Sequence, residues 1–144
     1  MGNIAGLFLC DKYGTATQNN LHGNAIGLIL CRIQDNTFKL PSGQATGGLN
    51  SAINWKVNAN TSSNNFSEGF VVTDASKGNT IENNTTTGNP DYDIELTGLT
   101  SRAGFLAQPV SNNTVNASST QKVKDCGIGD TINGGIVDKT TPCN

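Results

Sequence analysis

Ala5-Gly6-Leu7-Phe8-Leu9-Cys10 returns as Ile26-Gly27-Leu28-Ile29-Leu30-Cys31, so that Gly6 and Gly27, Leu7 and Leu28, and Cys10 and Cys31 all stand 21 residues apart. Weaker copies follow in Ile53-Asn54-Trp55-Lys56-Val57, Gly69-Phe70-Val71-Val72-Thr73 and Tyr92-Asp93-Ile94-Glu95-Leu96-Thr97. From Leu7 through Leu28, Trp55, Phe70 and Ile94 the steps are 21, 27, 15 and 24, a mean of about 22. Short apolar runs between turn-forming residues read as strands rather than helices. A period in this range marks a repeat architecture, in which one unit is too small to bury its own apolar face and stacks on the next.

The composition agrees. The chain has 144 residues and a mass of 15.0 kDa, enough for one domain with a modest core. Hydrophobic residues make up 35% and charged residues 14%, both below the usual share. Their place is taken by 20 Asn, 17 Thr and 17 Gly, residue types that disfavour helix interiors. A net charge of −2 and a pI near 5.1 leave no electrostatic footprint for nucleic acid. No apolar run reaches the ~20 residues of a membrane-spanning helix, so no membrane insertion is expected. The clustering of the apolar residues, together with a net charge near zero, argues against a disordered chain.

A second motif, an Asn, any residue, then an apolar residue, follows each strand run. It reads Asn19-Asn20-Leu21, Asn36-Thr37-Phe38, Asn64-Asn65-Phe66, Asn79-Thr80-Ile81 and Asn113-Thr114-Val115. Asn tolerates left-handed backbone and bonds local backbone in turns, and stacked on itself it forms amide ladders. This alternation over roughly residues 4–118 resembles the right-handed parallel β-helix repeat of the pectate-lyase-like superfamily, which includes NosD-type proteins. The resemblance implies an all-β, single-stranded right-handed parallel β-helix of about five to six coils with little or no helix. Residues 1–118 would form the coils and 119–144 a C-terminal cap, one domain overall. The superfamily holds lyases, hydrolases, epimerases, adhesins and phage spikes, so the resemblance assigns no activity. Phe66 and Phe70 are only four residues apart, too close for a full side of a coil.

Period-two alternation places Leu7, Leu9, Leu28, Leu30, Trp55, Val57, Phe70, Val72, Ile94 and Leu96 inward. Phe8, Ile29, Lys56, Val71 and Glu95 then point outward, and three of these five are apolar, a stripe that a loop or a partner should cover. Two excursions offer such a cover: residues 39–52, and residues 98–111 with Arg102 and Phe105. Phe8, Ile29, Val71, Arg102 and Phe105 are therefore the expected ligand-binding or interface residues. The first strand begins almost at once, so the N-terminal end is expected either to follow further coils or to pack on another chain.

Of three possible connectivities, Cys10 with Cys31 and Cys126 with Cys143 is preferred, the first pair on neighbouring coils and the second bracketing a Gly-rich tail. Disulfides place the chain outside the cell or at its surface, although Met1 to Cys10 has no signal-peptide character. With no C-x-x-C and only His22, neither a metal nor another cofactor is expected.

Two functional classes follow. The first is a non-catalytic extracellular or surface module for binding or assembly, self-associating through the apolar stripe or the open N-terminal end. The second is a polysaccharide-active enzyme (lyase, hydrolase or epimerase) or its carbohydrate-binding portion. For it the candidates are Asp93 and Glu95, about 6.5–7 Å apart on one strand, in the range of an inverting acid–base pair. Lys56 would stand two coils away on the same face, with Asp74, Asp91 and Arg102 approaching from loops. Carbohydrate is the one ligand class named, and Trp55, Tyr13 and Tyr92 are the few aromatics available to stack on it.

Overall fold

In a computed structural model, residues 3–34, 49–73, 75–98 and 109–143 are described. The chain runs through β1 (Ala5–Cys10), β2 (Lys12–Thr17), β3 (Asn20–His22), β4 (Ile26–Gln34), β5 (Leu49–Ser51), β6 (Ile53–Asn58), β7 (Thr61–Ser63) and β8 (Phe70–Val72). It continues through β9 (Thr80–Glu82), β10 (Thr85–Thr87), β11 (Ile94–Leu96), β12 (Thr114–Asn116), β13 (Lys122–Asp125), β14 (Thr131–Asn133) and β15 (Ile136–Asp138). No helix occurs among the described residues.

Successive strands join different sheets. The first sheet has the order β1-β4-β8-β11-β13-β15, with β5 pairing antiparallel to the far end of β4. The second has the order β14-β12-β9-β6-β2, and the third β10-β7-β3. Within each of these orders every pairing is parallel. This arrangement is compatible with a parallel β-helix.

The register stacks like on like. In the first sheet Leu7, Leu28, Phe70, Ile94, Val123 and Val137 form one inward column. Ala16, Val57, Ile81, Val115 and Ile132 form the matching column of the second sheet. Leu28, Val57, Phe70, Val115 and Val123 have no exposed surface, and they belong to one continuous core with Leu30, Val72, Ile81, Ile94 and Leu96. Apolar burial of this kind contributes roughly 1.5–3 kcal/mol per large side chain. In the third sheet the inward position is Leu21, Ser62 and Thr86. That sheet ends after three strands, where buried Gln121 donates from Nε2 to the carbonyl of Asn84 (3.1 Å) and to Thr86 Oγ1 (3.0 Å).

The turns are built alike. A residue with positive φ is followed by an Asn whose side chain spans to the next layer. Gln18, Ala59 and Asn83 precede Asn19, Asn60 and Asn84; Gly23, Asn64 and Gly88 precede Asn24, Asn65 and Asn89; Gly78 and Asn112 precede Asn79 and Asn113. Where one Asn follows another in a column, its Oδ1 accepts from both the backbone N–H and the Nδ2 of the preceding member, whereas Asn79 Oδ1 accepts the Trp55 backbone N–H. Asn60 donates in this way to Asn84 at 2.9 and 3.0 Å, and Asn79 to Asn113 at 3.0 and 2.9 Å. The second Nδ2 hydrogen goes to a carbonyl of an earlier layer, as from Asn79 to Ala52 (3.0 Å) and from Asn84 to Val57 (3.0 Å). Asn60, Asn65, Asn79 and Asn113 are at most 3% exposed, yet their polar atoms are paired, as burial demands.

Three expectations need correction. Trp55 and Val57 belong to the second sheet, opposite Gly14 and Ala16, and β4 pairs directly with β8 in the first. Trp55 keeps its inward parity and lies against Gly14, where any Cβ would collide with the indole. Phe66 is 72% exposed and lies in a turn, which removes the difficulty of its closeness to Phe70. The Asn triplets also mix two sheets, Leu21 in the third and Ile81 and Val115 in the second, because the same turn chemistry serves each side. Residues 122–138 supply β13, β14 and β15 to the first and second sheets. Residues 39–48 and 99–108 lie outside the described residues.

Urea unfolding should show Asn79→Ala destabilised by about 2 kcal/mol or more, since it strands the Trp55 N–H and removes the Nδ2 bonds to the Ala52 carbonyl and Asn113 Oδ1. Ala59→Gly should instead stabilise by about 0.5–1 kcal/mol, because Ala59 holds φ +55° at the cost of a Cβ clash.

Candidate functional site

The outward column of the first sheet runs Phe8, Ile29, Val71, Glu95, Lys124 and Asp138. Its apolar half is largely closed. Ile29 is 2% and Val71 7% exposed within the single chain, whereas Phe8, at the edge, is 45% exposed. The stripe is therefore covered by the chain itself over Ile29 and Val71. Arg102 and Phe105 lie outside the described residues.

The charged half is held by the C-terminal tail. Lys124, 4% exposed, places its Nζ 3.8 Å from Asp138 Oδ2 and donates to the carbonyls of Asp138 and Thr141. Tyr92 donates its hydroxyl to the same Asp138 oxygen at 2.6 Å. Hydrogen bonds from Thr141 first, then from Tyr92 and Thr140, hold the Asp138 carboxyl far below the usual carboxylate range. The bond to Asp138 in turn pushes the Tyr92 hydroxyl up. Cys126 and Cys143 are joined in a disulfide with Cα atoms 5.5 Å apart, which ties the end of the tail to the strand beneath it. Cys10 is also disulfide-bonded, and Cys31 is its register partner on the next strand.

The proposed acid–base pair does not assemble with Lys56. Asp93 is buried, its Oδ2 accepting the Lys122 backbone N–H at 2.8 Å, so it holds the start of β13. Glu95 lies outward on β11, in register with Val71 and Lys124. Lys56 is on the second sheet, not the first, and forms an ion pair with Glu82 at 2.8 Å; the hydrogen bond from Lys56 lowers the Glu82 carboxyl. Asp91 accepts from Ser67 Oγ at 2.7 Å, and Asp74 is outside the described residues. Among the described residues no three His, Cys, Asp or Glu side chains gather as metal ligands do.

The second sheet presents two solvent-facing columns of short polar side chains: Thr15, Lys56, Thr80, Thr114, Thr131, and Thr17, Asn58, Glu82, Asn116, Asn133. The third sheet adds Thr61 and Ser63 beside Thr85 and Thr87. At the N-terminal end β1, β2 and β3 are all terminal in their sheets, and Ile4 (80%), Phe8 and Tyr13 (73%) are exposed there. No protein-family model, no curated protein and no solved structure matches the chain.

Sequence reasoning missed the Tyr92–Asp138–Lys124 contact and the role of Asp93 as a strand anchor. The only available signal was Lys124 in a Val-x-Asp-Cys context; its partners Asp138 and Thr141 lie 14 and 17 residues away, and Tyr92 lies 46 residues from Asp138.

Asp138→Asn should lower the melting temperature at pH 7 by leaving the buried Lys124 ammonium without its counter-ion. Because the Asp138 carboxyl is depressed in the folded chain, its contribution is present above the ordinary carboxylate range and lost on acidification. Thermal unfolding should therefore show the gap between wild type and variant closing as pH falls below about 4.

Proposed function

We propose that the chain is a right-handed parallel β-helix, akin to those of the pectate-lyase-like superfamily, and a non-catalytic extracellular or surface module that assembles through its N-terminal end. The observation that carries this reading is the coincidence, among the described residues, of three strands terminal in their sheets with three exposed apolar side chains. The outer edges of β1, β2 and β3 are a template for another strand layer, and Ile4, Phe8 and Tyr13 supply apolar area beside them. The partner proposed is a second copy of this chain. The stripe over Ile29 and Val71 is not available for this purpose, since it is already covered.

The carboxylates weigh against an acid–base site. Asp93 anchors a backbone N–H, Glu82 pairs with Lys56, and Asp138 serves Lys124 and Tyr92. A carbohydrate-binding role is the second reading, favoured by the Thr and Asn columns on the outer face of the second sheet. Their hydroxyl and amide groups repeat at about 4.8 Å between strands, a spacing able to engage a repeating polyhydroxyl chain. The disulfides support an extracellular setting.

Light scattering over a tenfold concentration range should give a mass of twice 15.0 kDa or more, returning to 15.0 kDa in a Phe8→Lys/Tyr13→Lys variant. A wild-type monomer at every concentration would contradict the assembly reading, and titration with oligosaccharides would then test the second.

A further inference from the structure

The Asn column that enters the second sheet does not end in Asn. Gly129, with φ +68°, precedes Asp130, which takes the position after Asn79 and Asn113. Its Oδ1 accepts the backbone N–H (2.6 Å) and Nδ2 (2.9 Å) of Asn113, as an Asn would. Where an Asn would carry an NH2 group, Asp130 has Oδ2, an oxygen shielded from solvent and without a hydrogen-bond partner. That oxygen lies over Gly127, at a place where an added Cβ would strike it and the side chain of fully buried Val110.

A second carboxyl converges on the same glycine. Asp125 follows Leu96 in an inward column of the first sheet, and its Oδ1 accepts the Gly127 N–H at 3.0 Å. The other groups around Asp130 are neutral: Val110, Ser111, Asn112 and Asn113 on one side, and Gly127, Ile128, Gly129 and Thr131 on the other, with Cys126 in its disulfide. Among the described residues Asp125 is the only charged group acting on it. A buried oxygen with no donor, next to a second carboxylate and with no cation at hand among the described residues, is satisfied by a proton.

We propose that Asp130 holds a proton beside Asp125 at the C-terminal end of the stack, and that its loss to solvent loosens the segment clasped by Cys126 and Cys143, making this end a pH-operated latch. Burial, and then the charge of Asp125, push the Asp130 carboxyl up, although the bonds from Asn113 oppose this. The sign follows: a carboxyl raised in the folded state contributes its full stability below the ordinary carboxylate range and loses it as pH rises through the raised value. This is opposite to Asp138, so a local readout separates the two.

The N–H groups of Cys126, Ile128 and Thr131, bonded to Leu96, Val110 and Asn113, report on the latch. Hydrogen exchange at these amides should be compared with that in Asp130→Asn at the same pH, which cancels the intrinsic pH dependence. The wild-type to variant ratio of exchange rates should rise severalfold between pH 4 and pH 7. Asp125→Asn, which keeps Asp130 but removes the opposing charge, should move the wild-type transition to lower pH. A ratio that stays flat across this range, or an Asp125→Asn profile that coincides with wild type, would overturn the proposal. Should Asp130→Asn not fold, the comparison of wild type with Asp125→Asn decides alone.

Discussion

The stack depends on one bond pattern, the Asn that follows a left-handed residue and accepts, on a single oxygen, two N–H groups from the layer before it. Strand pairing alone leaves the turns of a parallel stack with unpaired N–H groups in the interior, an unfavourable arrangement by 1–3 kcal/mol for each group. The Asn side chain satisfies those groups and returns its own hydrogens to the next Oδ1 and to an earlier carbonyl. It also fixes register, because a layer displaced by one residue would leave every amide of the column unmatched. The apolar columns of Leu28, Phe70 and Ile94 supply the larger burial, and the Asn columns determine where each turn sits.

The same chemistry explains how the columns end. A ladder of Asn has direction, each member donating toward the C-terminus. Asp130 accepts like its predecessors but has no amide hydrogens to pass on. Gln121 terminates the third sheet, and the Tyr92–Asp138–Lys124 contact together with the Cys126–Cys143 bridge fastens the tail. The N-terminal end has no comparable set of contacts among the described residues, and there the exposed Ile4, Phe8 and Tyr13 collect. This contrast between a closed and an open end is the physical basis of the assembly reading.

The parallel all-β character and the Asn columns were legible in the sequence, because both arise from local rules repeated at a fixed period. Leu7, Leu28, Phe70 and Ile94 fall in one column as the spacing predicts. Trp55 was misplaced because a strand of the second sheet carries the same alternation as one of the first, and periodicity does not say to which side a run belongs. Val123 and Val137 were overlooked because their layers are short, 14 residues apart, well below the period of the others. The candidate site was less legible. Whether Asp93 faces solvent or anchors the Lys122 N–H, and whether Lys56 meets Glu95 or Glu82, depends on contacts between layers that no local pattern encodes.

The most direct measurement is hydrogen exchange of the Asn side-chain amides by nuclear magnetic resonance. The Nδ2 protons of Asn60, Asn65, Asn79 and Asn113 should exchange as slowly as the backbone amides of the core strands, and those of exposed Asn83 and Asn116 should exchange far faster. Free exchange at all six would mean that the buried Asn columns do not hold the layers together, contradicting the account at its base.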